Sequence, residues 1–357
     1  MKRFEELKRR VLKRIRIKRA DGIVIKHLDE VDIVPTLKCN LNCVMCHQSE
    51  IKCKPNMSLD DFKLIVSRLK KEKVSKVSLV GGEILVLPEI FEFIRELENN
   101  KIYYDLATNA VLLDGEKIKK LKNLKFLEKI TTSLDGDKEI HNKIRRNPVA
   151  FQKTIENIRR LLDAGFRVNV GCVVQKANFK DIERIFNLIC GLGVRDISFL
   201  LENYIEDGEK RASEGIIKKI TEKNAEIFTI SKENPLGRLN EIELSMLKEK
   251  FERIKVLAKR RGVSLGLPVQ FLVKDILRKD YSLKCFTCSI FKGYNMQVNN
   301  DSTLSFCPFI SLGEDFSLKR RSLLNTANSS EYLSLRRLFH KNGALPICRR
   351  CCALVEK

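Results

Sequence analysis

Three cysteines stand within eight residues, Cys39-Asn-Leu-Asn-Cys43-Val-Met-Cys46. Thiolates are ligands for soft metals, and a closed structural zinc site takes four ligands. Three sulfurs in one loop therefore suit a metal or cluster that keeps one position open for a substrate. A second set lies toward the C-terminus: Cys285-Phe-Thr-Cys288, Cys307-Pro308 and Cys348-Arg-Arg-Cys351-Cys352. Paired C-x2-C spacing there is compatible with zinc as well as with iron-sulfur. The remaining three of the twelve cysteines are isolated. Cys172 and Cys190 fall inside a strand and at a helix end, where thiols act as small buried hydrophobes, and Cys53 falls in a basic loop as a surface thiol. Clustered free thiols belong to a reducing compartment. The N-terminal MKRFEELKRRVLKRIRIKRA is charged where a signal peptide needs an apolar core, and no run of ~20 apolar residues occurs, so the expected location is cytoplasmic.

Alternating strands and helices must position these ligands. Apolar runs predict strands at Val31 to Pro35, Val77 to Val80, Ile102 to Ala107, Lys129 to Leu134, Arg167 to Val174 and Asp196 to Leu201. Helices are predicted after the N-cap Ser58 and over about 88–98, 149–164 and 179–190. Strands too apolar for a half-exposed sheet predict an α/β fold, a parallel sheet covered by helices, either open or an incomplete barrel. Ligands of such sheets gather at the carboxyl ends of the strands, and the first cysteine triplet directly follows the first strand. Residues 1–30 read as a basic N-terminal helix and lead-in, 31–201 as the core, 202–264 as a helical linker, and 265–357 as a small cysteine-rich domain organised by metal. Lys and Arg number 68 against 46 Asp and Glu, a formal charge of +22 that favours an anionic partner; the plain alternative is a lysine-coated soluble surface.

The C-x3-C-x2-C triplet after a first βα strand resembles the motif of the radical SAM superfamily, and further elements follow in that family's order. Gly81-Gly82-Glu83 ends the second strand, Thr108-Asn109 the third, and Ser133-Leu134-Asp135-Gly136 the fourth, followed by His141-Asn-Lys-Ile-Arg145. The last two resemble the branch that modifies peptides and proteins. The resemblance implies a partial (β/α)6 TIM-like barrel in which Cys39, Cys43 and Cys46 hold a 4Fe-4S cluster whose fourth iron binds S-adenosylmethionine. It further implies cofactor contacts from Gly81, Gly82, Glu83 and Asn109, with Ser133 on the ribose, Arg145 on the methionine carboxylate and Leu200 against the adenine. Two departures stand out: Ile84 replaces a customary proline and Met45 a customary aromatic residue. Singly, these elements are bland: the triplet alone suits zinc, and Ser-Leu-Asp-Gly alone suits an ordinary turn.

The C-terminal region resembles the SPASM or twitch extension, an α+β module with an auxiliary 4Fe-4S cluster. The resemblance implies Cys288, Cys307, Cys348 and Cys351 as its ligands, with Cys285 and Cys352 as neighbours and zinc as the alternative metal. The expected reaction is reductive cleavage of S-adenosylmethionine to a 5'-deoxyadenosyl radical that abstracts hydrogen from substrate, fed by an external one-electron donor such as a flavodoxin or ferredoxin. A peptide or protein is the first expected substrate. RNA is second, because residues 2–20 carry ten Lys or Arg against two Glu, and a lipid-linked substrate is third. The rival of another class is a non-enzymatic cysteine-metal protein that binds nucleic acid.

Overall fold

The computed structural model describes residues 23–46, 55–227, 236–267, 282–288, 295–351 and 353–356. The expected basic helix at 2–20, and Cys53 and Cys352, lie outside the described residues. The chain opens with β1 (Glu30–Thr36), α1 (Leu59–Lys71), β2 (Lys76–Gly81), α2 (Ile90–Asn99), β3 (Tyr103–Ala107), α3 (Gly115–Lys122) and β4 (Leu127–Ser133). It continues with α4 (Lys138–Arg145), α5 (Ala150–Asp163), β5 (Val168–Val174), α6 (Ile182–Gly191) and β6 (Asp196–Leu201). Then come α7 (Asp207–Thr221), β7 (Glu226–Ile227), α8 (Glu241–Arg260) and β8 (Ser264–Gly266). The C-terminal region adds β9 (Phe286–Cys288), β10 (Asn295–Val298), β11 (Leu304–Ser305), β12 (Ile310–Ser311), α9 (Leu323–Ala327), α10 (Ser330–Asn342) and β13 (Leu354–Glu356).

Nine strands form one open sheet in the order β11-β10-β1-β2-β3-β4-β5-β6-β8. All neighbours are parallel except β10 and β11, so the fold is α/β and the sheet does not close on itself. The six expected strands are its centre. Both flanks come from beyond Leu201, with β8 parallel to β6 and β10 parallel to β1. Ser58 caps α1 by accepting from Asp61 N, and the buried face of that helix sets Phe62 on Phe93 of α2, ring centroids 4.3 Å apart.

The strands are fully apolar on one face, where Val31, Ile33, Val77, Leu79, Val170, Cys172 and Ile197 are 0% exposed. The alternate residues Asp32, Ser78, Thr131, Ser133, Gly171 and Ser198 are half-buried on the concave side. An incomplete barrel needs this polar lining because its concavity is not filled by apolar packing. In register across that face run Asp32, Ser78, Asp105 and Lys129. Lys76 Nζ sits 2.7 Å from Asp105 and 3.4 Å from Glu128. Carboxylates thus outnumber ammonium groups along this floor. The lysines Lys63, Lys70, Lys71, Lys119, Lys120 and Lys122 are exposed on the outward faces of α1 and α3.

Candidate active site

The cysteine loop is held by the chain that leaves β2. Gly82 N donates to Thr36 O at 3.1 Å and Glu83 N to Lys38 O at 2.9 Å. A Cβ on Gly81 would lie 2.3 Å from Thr36 O, and one on Gly82 would lie 2.2 Å from Lys38 O. The glycine pair therefore lets this backbone approach the segment leading into Cys39. Glu83 is 1% exposed, and its carboxylate accepts from Leu85 N, Thr108 Oγ1 and Asn109 N at 3.1, 2.8 and 2.6 Å. Its partners in this structure are internal donors that fix the end of β3. Gly82→Ala should cost about 1–3 kcal/mol, because the clash is with backbone that cannot turn aside. It should also lower iron incorporation at the cysteine loop. Urea unfolding and iron analysis check both; an unchanged midpoint with full iron removes this role for the glycine.

Burial pushes the Cys39 thiol up to about 11, with the neighbouring Cys43, Glu83 and Cys46 adding to the rise. Burial raises Cys43 as well, against the opposing pull of Arg145. Thiols so raised ionise together only beside compensating positive charge, which a metal centre supplies. Leu41 N donates to Cys39 Sγ at 3.4 Å, and Arg145 Nη1 lies 3.8 Å from Cys43 Sγ. The loop is pinned to the end of α4 by Val44 N donating to Ile144 O at 2.9 Å.

Arg145 is 8% exposed, and its Nε donates to Asp135 Oδ2 at 2.6 Å. Asp135 is 0% exposed, and its other oxygen accepts from Val173 N at 3.0 Å. His141 Nδ1 accepts from Asp135 N at 3.1 Å; burial holds this imidazole neutral, with its pKa lowered to about 4. Asn178 Nδ2 donates to Asp135 O and Val173 O, both at 2.9 Å. One guanidinium atom, Arg145 Nη2, is buried without a partner beside the cysteine loop. A buried unsatisfied charged donor is costly, and a carboxylate is the group that matches it. The structure thus fits both a thiolate-bound centre and a carboxylate-bearing ligand next to it. Ser133 is half-buried at the end of β4 opposite Gly171, and Leu200 is 37% exposed on the concave face of β6. Sequence reading missed Asp135 as the partner of Arg145; its signal was an acid just before a helix that ends in a buried Arg.

The second cysteine set assembles from separated segments. Cys288 ends β9 and pairs with Leu354 of β13, Cys307 follows β11, and Cys348 closes a 3-10 turn at Pro346–Cys348. Burial raises the Cys348 thiol well above its ordinary value, and the neighbouring Cys288 and Cys307 raise it further. Phe309 N donates to Cys307 Sγ and Ala353 N to Cys351 Sγ, both at 3.4 Å, the same distance and spacing as Leu41 N to Cys39. Arg349 and Arg350, between Cys348 and Cys351, are buried and pair with Glu209 of α7. Cys285 is exposed. Among the described residues, no three Cys, His, Asp or Glu side chains converge tightly enough to hold a single metal ion. Nor is any helix among them long and apolar enough to cross a membrane.

Residues 33–189 match the Radical SAM superfamily. A match to that superfamily implies a 4Fe-4S cluster and S-adenosylmethionine as cofactors. The chain is 32% identical over 161 residues to the AdoMet-dependent heme synthase of Methanosarcina barkeri (strain Fusaro / DSM 804), covering 44% of this chain and 46% of that protein. It is 28% identical over 174 residues to the antilisterial bacteriocin subtilosin biosynthesis protein AlbA of Bacillus subtilis (strain 168), covering 48% of this chain and 38% of AlbA. The chain therefore spans about half or less of each relative's length. Streptococcus suis SuiB, solved with S-adenosylmethionine and with precursor peptide SuiA, shares the fold at TM-scores of 0.67 and 0.63 and identities of 17% and 14%. These superpositions cover 92% and 94% of this chain and 73% of SuiB.

Proposed function

We propose that the protein is a radical SAM enzyme that abstracts hydrogen from a peptide or protein, with an auxiliary iron-sulfur cluster in its C-terminal extension. The observation that carries the reading is the buried, half-satisfied Arg145 set between Asp135 and Cys43. Cys39, Cys43 and Cys46 would hold the cluster, and Arg145 Nη2 would orient the carboxylate of S-adenosylmethionine. Once bound, these groups supply one-electron cleavage of the sulfonium and a carbon radical for hydrogen abstraction. The chain itself supplies the orienting guanidinium and the donors that steady the thiolates. Cys288, Cys307, Cys348 and Cys351 would hold the auxiliary cluster, supported by the backbone N–H donors to Cys307 and Cys351. An external flavodoxin or ferredoxin would deliver electrons.

Peptide substrates are favoured by SuiB, whose complex contains a precursor peptide, and by AlbA, named for bacteriocin biosynthesis. Identity to a heme synthase favours a second reading, a small-molecule substrate. Fractionated cell extract added to the anaerobic enzyme separates the readings through 5'-deoxyadenosine yield. Stimulation abolished by protease is the expected result. Loss on nuclease treatment assigns RNA, and stimulation that survives both enzymes assigns a small molecule.

A further inference from the structure

Asn109 was expected to contact the cofactor, S-adenosylmethionine, whose nucleoside lies nearest the strand ends in the family that the chain resembles. Its surroundings assign its side chain elsewhere. The backbone N of Asn109 is fixed by Glu83 at 2.6 Å and its carbonyl accepts from Thr154 Oγ1 at 3.2 Å. Its side-chain Oδ1 accepts from Val111 N at 2.9 Å, which determines which end of the amide is the nitrogen. Nδ2 is thereby aimed at the cysteine loop, 2.7 Å from Asn40 Oδ1 and 3.8 Å from Cys39 Sγ. A primary amide has two N–H donors, and both are occupied. None is left for a nucleoside.

We infer that Asn109 is a positioning residue for the Cys39 thiolate, the end of a chain of contacts running from Glu83 through Asn109 to the metal-binding sulfur. This rests on the radical SAM reading of the cysteine loop. A donor to a ligating sulfur withdraws negative charge from it and favours the reduced centre, so the contact raises the reduction potential. Leu41 N approaches the same sulfur from the backbone, so Cys39 has two donors, of which only that of Asn109 is removable by substitution. Glu83 then acts at a distance, by holding the backbone that carries the amide.

The test is an EPR-monitored redox titration of the first cluster without S-adenosylmethionine, on wild type and Asn109→Leu, in a background where Cys348→Ala and Cys351→Ala silence the second site. A more negative midpoint, with S-adenosylmethionine affinity within about two-fold of wild type, is expected. An unchanged midpoint overturns the inference, and an unchanged midpoint with a tenfold loss of affinity returns Asn109 to the nucleoside. Asn109→Asp keeps the acceptor for Val111 but sets a negative charge beside the sulfur, so its midpoint should fall as well; it serves if the Leu variant loses its cluster. Failure of wild type itself to assemble a first cluster would instead strike the reading on which this rests.

Discussion

Cys43→Ala should lose about four irons per chain and reduce 5'-deoxyadenosine formation to the background of the reductant alone. Two sulfurs remain in the loop, too few to hold a cluster that already leaves one iron without a protein ligand. The substitution also strips Arg145 Nη1 of its sulfur contact at 3.8 Å, so even a residual centre would sit beside a misdirected guanidinium. Cys172→Ala is the contrast: that thiol is 0% exposed and lies on the helix-covered face of β5, where it packs against the core. It should cost some stability through its cavity and leave iron content unchanged. Iron and sulfide analysis of the two variants side by side distinguishes a ligand from a buried bystander. Full iron in Cys43→Ala would contradict the assignment of the loop.

Asp135→Ala should be the most destabilising single change at the site. It removes the partner of Arg145 Nε and of Val173 N together and leaves a guanidinium that is 8% exposed without its anion. Breaking one side of a buried pair costs about 3–5 kcal/mol. The double variant Asp135→Ala with Arg145→Leu should recover part of that loss, since the stranded charge goes with it. Urea midpoints for the two singles and the double give the coupling directly. A loss below about 1 kcal/mol for Asp135→Ala would show that Arg145 is solvated from the cofactor side and not held by the carboxylate.

Much of this was legible in the sequence because it is written locally. β6 runs over Asp196–Leu201, the residues expected, and the starts of β3 and β5 each differ by one residue. These strands are short apolar runs bounded by polar turns. The helices α3 and α4 were not read, for two different reasons. α3 buries only Ile118 and Leu121 beneath a lysine-rich surface, so its apolar stripe is thin. α4 turns His141 and Arg145 inward, so functional groups occupy the positions where a periodicity argument looks for apolar ones. The polar concave face escaped because its residues alternate with the apolar set, and an apolar average over each strand hides them. Glu83 shows a further limit. Sequence placed it at the end of β2, but only coordinates reveal that its oxygens meet Leu85, Thr108 and Asn109. Pairing of β10 with β1 lies deeper still, since most of the chain separates the partners Asn295 and Glu30. No local pattern encodes such a contact.

The central claim is that the loop Cys39 to Cys46, with Arg145 above it, makes a centre that cleaves S-adenosylmethionine. It is tested most directly by reconstituting the full chain anaerobically with iron and sulfide, adding dithionite and S-adenosylmethionine, and measuring 5'-deoxyadenosine by chromatography. Formation of 5'-deoxyadenosine that depends on both reductant and Cys43 is the predicted result. Its absence from protein carrying a full complement of iron would contradict the account.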